Sequence, residues 1–292
     1  MDELENFGGF FMNRFLAFKI TGPYHQKKGI VCQDSFFVKE KDNVIFASVA
    51  DGVGSEKHSD IGSRIASRVA VEFCFENYSS QMSFSEIQNL MKKAYKKAWK
   101  AVEKKAIKDG NVAIEEYNTT MTLAIYNGKE VFFGQSGDSG ILAYAETGEI
   151  KVVTQQQRDD NGCVYPLCCG EQKWVFGQLN YPVHALMLTT DGVFEQMVPP
   201  ILNQDKSLAE QRINVANAIK FLDRNECKNE DVEITKRYLY QYLKNYPEYA
   251  LDDDKTIVIL WNDKSKVRRL DEKYYLPIDW SKVYKKLRDI IK

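Results

Sequence analysis

The chain has 292 residues, 44% of them hydrophobic, and a formal net charge of −1. That is enough chain and apolar content for one large domain or two small ones with a buried core, while the near-neutral charge argues against a general nucleic-acid or membrane-surface binder. No apolar run approaches the roughly 20 residues that span a bilayer, the acidic start MDELENFGGF has no signal-peptide pattern, and six cysteines without a CxxC pair suit the reduced thiols of a cytoplasmic protein rather than a disulfide frame or a zinc site.

The elements follow in chain order. Residues 10–20, FFMNRFLAFKI, predict an opening strand at a sheet edge. Gly22-Pro23 marks a turn. Asp34 stands just ahead of a strand at Phe36-Phe37-Val38, and residues 39–43 read as a hairpin turn into the apolar run Val44 to Val49. That run breaks at Asp51-Gly52. A helical pattern then places Ile61, Ile65, Val69 and Phe73 on one face, with Ser59 as its expected N-cap. Ser83 and Glu86 have capping-box spacing. They open a helix with Ile87, Leu90, Met91, Ala94, Ala98 and Val102 on one side and a lysine strip (Lys92 to Lys104) on the other, which reads as a solvated face.

From Thr120 the period shortens. Two strands flank Asn127-Gly128, a strong hairpin signal. Gly137-Asp138-Ser139-Gly140 interrupts, strands resume at Ile141 to Ala145 and Ile150 to Val153, and residues 154–182 are irregular, the pattern of a flap. Ala185 to Thr190 is a second apolar strand ending in Asp-Gly, at Asp191-Gly192. Residues 193–249 read as mostly helical. The acids Asp252 to Asp254 lead into a buried-looking strand, Thr256 to Trp261, and the chain closes with an amphipathic helix over 279–291.

Asp34, Asp51, Asp138, Asp191 and the Asp252–Asp254 group therefore share one setting, the end of a strand. Strand ends gather at the rim of a sandwich, so these acids can converge from far apart in sequence. Clustered carboxylates repel unless a cation sits among them. Oxygen-only ligands point to Mg²⁺ or Mn²⁺ rather than zinc, and two such ions can acidify a shared water for attack on phosphorus.

The ordered motifs QDSF, VADGVGS, NTTMTLAIY, GQSGDSGILAY, LTTDGVFE and DDKTIVIL resemble the metal-dependent protein serine/threonine phosphatases of the protein phosphatase 2C family, over about residues 15–261. The resemblance implies an α+β fold, an antiparallel β-sandwich flanked by helices (α-β-β-α), with residues 1–261 as the phosphatase domain and 262–292 as a C-terminal connector and amphipathic helix. It implies that Asp51 bridges two Mn²⁺ or Mg²⁺ ions, that the Gly52 carbonyl binds one and that Asp191 and Asp253 hold the other. Asp34 would orient water. Asp138 would help hold a third ion or serve as a turn aspartate. The implied partners are a phosphorylated protein and a cognate Ser/Thr kinase or its target; no nucleic acid and no membrane is expected.

Three positions depart from the family pattern. Gln33 stands where many members have Glu. Gly29 stands where many have a phosphate-gripping Arg, leaving Lys28 or His25 to supply the cation, and Lys lacks the planar fork of Arg. Val53 stands where some members carry a histidine; His58 reads as a loop residue and His184 as structural. These departures leave a second reading, a phosphatase-like binding module without turnover. The stripe Trp280, Val283, Leu287, Ile290 suits either packing on the domain or docking to a partner.

Overall fold

The apolar runs become ten strands in two antiparallel five-stranded sheets. The computed structural model describes residues 13–110, 112–204, 206–223 and 231–291. The order begins β1 (Asn13–Ile20), α1 (Pro23–Lys28), β2 (Ser35–Lys41), β3 (Val44–Ala50), α2 (Ser59–Asn77), α3 (Phe84–Lys108) and β4 (Met121–Tyr126). It continues with β5 (Val131–Ser136), β6 (Gly140–Ala145), β7 (Ile150–Val152), β8 (Val175–Gln178), β9 (Val183–Thr189) and α4 (Asp191–Met197). It ends with α5 (Pro200–Asn203), α6 (Val215–Leu222), α7 (Val232–Lys244), β10 (Lys255–Asn262) and α8 (Trp280–Ile291). Residues 10–12 of the expected opening strand, Cys227, and the side chains of Leu287 and Ile290 lie outside what is described.

One sheet runs β1-β10-β9-β6-β7 and the other β2-β3-β4-β5-β8. Strands buried on both faces explain the unbroken apolar runs. Along β3, Ile45, Ala47 and Val49 face the opposite sheet, whereas Val44 and Phe46 face α2 and α3. Along β10, Val258 and Leu260 point inward, and Ile257, Ile259 and Trp261 pack beneath the helices of the other outer layer. Alternation over one strand thus fills two cores at once. The result is four layers, α-β-β-α, as the family resemblance implies.

The capping box at Ser83 and Glu86 forms, and the predicted apolar face of α3 is buried. The lysines opposite are mostly exposed, and Lys96 pairs with Glu171. The hairpin after β2 turns through Asp42 and Asn43, both at positive φ (51° and 63°), a conformation that Asn and Asp tolerate. Three points differ from the sequence reading. The N-cap of α2 falls at His58, one residue before Ser59, and makes no side-chain cap. The Gly22-Pro23 turn opens a short helix, α1, because proline suits its first position. The irregular stretch 154–182 contains β8, which adds an edge strand beside β5. No helix among the described residues is long and apolar enough to cross a membrane.

The connector beyond β10 folds back on β7. Arg268 N–H donates to Glu146 O, Tyr275 Oη to Gly148 O, and Tyr274 Oη both accepts from Ile150 N–H (2.8 Å) and donates to Ile150 O (3.3 Å). The edge of β7 is thereby covered. Replacing Tyr274 by Phe leaves Ile150 N–H unpaired; the expected cost is about 1 to 2 kcal/mol, read by urea unfolding.

Candidate metal centre at the sheet rim

Strand pairing decides where the acids go. Ser35 lies opposite Ala50, so Asp34 and Asp51 leave β2 and β3 side by side. Gly140 and Ile257 both pair with Thr189, so Asp138, Asp191 and the Asp252–Asp254 segment meet at the same end of the other sheet. Carboxylate oxygens of Asp51, Asp138 and Asp191 all lie within 4.8 Å of one another. They line a cleft of about 130 Å³ whose walls include His25, Gln33, Gly52 and Asp253. Asp253 shares the cleft but stands outside that trio.

The electrostatics follow from the crowding. Withdrawal from water pushes the Asp51 carboxyl well above the usual range, and the charges of Asp191, Asp34, Asp138 and Asp253 push the same way. Burial, then Asp138 and Asp253, raise Asp191 to about 7. Burial also raises Asp138, against the pull of Arg158. Each shift records a charge that the fold encloses without fully matching it.

Arg158 is the residue that sequence reasoning missed. Its Nη2 lies 2.7 Å from Asp138 Oδ2, 3.1 Å from Asp191 Oδ2 and 3.0 Å from Glu195 Oε1. It belongs to the irregular stretch 154–182, and it is the one arginine there, which was the available signal. Gln157 anchors it to the rim: Gln157 N–H donates to Gly137 O, and Gly137 N–H donates to Gln157 Oε1.

The other acids have partners of their own. Asp254 accepts from Gly22 N–H and Gln33 N–H, both at 2.7 Å, and its Oδ2 lies 2.9 Å from His25 Nδ1. It ties α1 and the β2 entry to the β10 entry. Asp34 is 1% exposed and accepts from Thr190 Oγ1 at 2.7 Å. Its burial, then Asp254, raise its carboxyl well above the usual range, and Thr190 opposes them. Of the two cations proposed from sequence, His25 lines the cleft. Lys28 does not: it is exposed, and its ammonium sits over the Tyr24 ring and bonds the Tyr24 phenol. A six-residue helix sends its buried side, with His25, toward Asp254 and its exposed side, with Lys28, to solvent.

The two Asp-Gly pairs have a different cause from the turn expected. Neither Gly52 nor Gly192 has positive φ. A Cβ on Gly52 would lie 2.7 Å from Gln33 O, and one on Gly192 would lie 2.3 Å from Asp254 O. Both glycines permit backbone approach, which draws the acid-bearing loops together.

A profile of the protein phosphatase 2C family matches residues 21–229. The chain belongs to that family. Serine/threonine phosphatase Stp1 from Staphylococcus aureus shares the fold with a TM-score of 0.56 at 15% identity, over 85% of this chain and 94% of its own. The catalytic domain of the phosphatase PstP, solved in complex with two manganese ions, gives 0.58 at 14% identity, over 85% of this chain and 97% of its own. PppA, a regulatory component of T6SS in Pseudomonas aeruginosa, gives 0.57 at 14% identity, over 86% and 97%. A search of curated proteins finds no match.

The donor set of this phosphatase 2C domain fits a hard divalent cation. The trio is all carboxylate oxygen. On the cleft wall, Gln33 Oε1 is buried and accepts no hydrogen bond, a neutral oxygen left over for a cation. Without metal, Asp51 and Asp191 hold protons more tightly folded than unfolded. The stability they contribute is therefore complete below about pH 4 and is lost as pH rises through about 7. In a chelator, Asp51→Asn is expected to melt above the wild type at about pH 8, with the gap closing at about pH 5. Thermal denaturation across that range checks it.

Proposed function

We propose that the chain hydrolyses phosphoserine and phosphothreonine in proteins, with Mn²⁺ or Mg²⁺ in the acid cleft, and so opposes a Ser/Thr kinase. The carrying observation is the trio Asp51, Asp138 and Asp191, gathered within 4.8 Å with only part of its charge met by Arg158. Asp51, the Gly52 carbonyl, Asp191 and Asp253 would hold two ions, and Asp138 would serve a third. Such ions, when bound, supply positive charge and lower the pKa of water toward neutrality.

The chain's own groups have distinct parts. Thr190 Oγ1 holds Asp34 through Oδ2, and Asp34, buried behind the cleft, would orient the attacking water. Asp254 Oδ2 lies 2.9 Å from His25 Nδ1, and the imidazolium form of His25 would present Nε2–H as a donor toward phosphate. Gly29 offers no side chain where the family pattern has an arginine, so Arg158, once ions take over Asp138 and Asp191, would be the planar fork for phosphate oxygens.

One observation favours a second reading. Arg158 already bonds Asp138, Asp191 and Glu195, which suits a phosphatase-like binding module whose guanidinium stands in place of a cation. Phosphopeptide turnover with Mn²⁺ separates the two. As an enzyme, the wild type turns over and Asp51→Asn loses at least roughly a hundredfold in kcat/KM. Mn²⁺ also raises the melting temperature of the wild type and leaves that of Asp51→Asn nearly unchanged. Equal rates for the two proteins would establish the binding module instead.

A further inference from the structure

The acid cleft is too small for a protein substrate. Its volume of about 130 Å³ admits ions and a phosphoryl group, so the polypeptide carrying that group must lie outside it. Directly beside the cleft is a trough of about 860 Å³ between the 155–158 stretch and the segment that follows α4. Arg158 is the shared wall: it lines the trough while bonding Asp138 and Asp191 in the cleft.

The trough has the chemistry of a main-chain reader. Its floor is apolar, with Phe194 and Val198 buried, and Ile201 stands at its rim 45% exposed. Its walls carry the amides of Gln155, Gln204 and Gln211. A carboxamide offers donor and acceptor together, as the peptide unit does, and so bonds an extended chain regardless of sequence. The decisive atom is Gln211 Oε1, which is buried and has no hydrogen-bond partner. Left without a donor, that acceptor gains one when the Gln211 side chain turns into the trough, where a passing strand supplies a backbone N–H. Charge argues against an anionic ligand here: the trough's lysine, Lys206, already donates to Leu202 O, and Arg158 is engaged by the acids.

The geometry points to this trough as the binding site for the extended chain on one side of the phosphorylated residue. The inference rests on the phosphatase reading above and adds the site that recognises the polypeptide. Ile201 receives one substrate side chain, and Gln211 receives a main-chain N–H.

The test uses the full chain with Mn²⁺, a phosphothreonine peptide and p-nitrophenyl phosphate, which has no chain to place in the trough. In Ile201→Asp and in Gln211→Ala, the ratio of kcat/KM for the peptide to that for p-nitrophenyl phosphate is expected to fall about tenfold, the size of one lost hydrogen bond or apolar contact. Binding of the labelled dephosphorylated peptide, followed by anisotropy, weakens by about the same factor. Gln211→Ala removes an unpaired acceptor and is expected to keep the wild-type melting temperature. An unchanged ratio and unchanged peptide binding in both variants overturn the trough. If neither substrate turns over while the variants still weaken peptide binding, the phosphatase reading fails and the trough stands.

Discussion

Mutual repulsion of carboxylates held at one rim is the constraint that organises this molecule. Asp51, Asp138 and Asp191 cannot retreat from one another, because each is fixed at the end of a strand buried on both faces. The acids of the rim divide by how their charge is met. Asp254 has two backbone N–H groups and His25, and Asp34 has the Thr190 hydroxyl. Asp138 has Arg158. Asp51 has mainly other acids for neighbours. Charge that the chain meets with its own donors serves structure, whereas charge left unmet leaves a place for a cation. By that criterion Asp254 works as a joint, and Asp51 is the acid of the rim least matched by donors.

The same division explains why the cleft is small and its surroundings are not. Acids held by backbone donors pull α1, the β2 entry and the β10 entry tightly together on one side. On the other side the wall is Arg158, tied by its side chain to Asp191 and Glu195 of α4, and the segment after α4, all outside the ten paired strands. A rigid wall positions reacting groups, and a less regular one leaves room for the rest of a substrate.

Much of this was legible in the sequence, for identifiable reasons. Strands such as β3 and β10 fill two cores and read as unbroken apolar runs. The α3 helix carries its start signal at Ser83 and Glu86 and its buried face at helical spacing. What escaped was short or depended on tertiary contact. The α1 helix has six residues, less than two turns, so no period can form. The β8 strand has four residues, exposed or half-buried, and its pairing with β5 sets it more than its composition does. Arg158 lies in a stretch without regular pattern, and only the fold shows that it reaches Asp138 and Asp191. Among Asp252, Asp253 and Asp254, spacing cannot say which faces the cleft. Asp254 is turned inward by the N–H groups of Gly22 and Gln33, which are more than 200 residues away in sequence.

The glycines show how one sequence signal can be read correctly and for the wrong cause. Asp-Gly at a strand end suggests a turn that needs a left-handed residue. Here Gly52 and Gly192 have negative φ, and what they require is the absence of a side chain. A Cβ on Gly52 would press on the Gln33 carbonyl, and one on Gly192 would press on the Asp254 carbonyl. Gly22 repeats the pattern, with Asp253 and Asp252 backbone within 2.5 Å of its would-be Cβ. All three contacts separate an acid-bearing loop from its neighbour. A methyl group at any of them would therefore act first on the spacing of the carboxylates and only then on the strands behind them, because loops yield before a paired sheet does. The glycines after Asp51 and Asp191, with Gly22, set how closely the acids approach, and that separation decides whether a cation can sit among them.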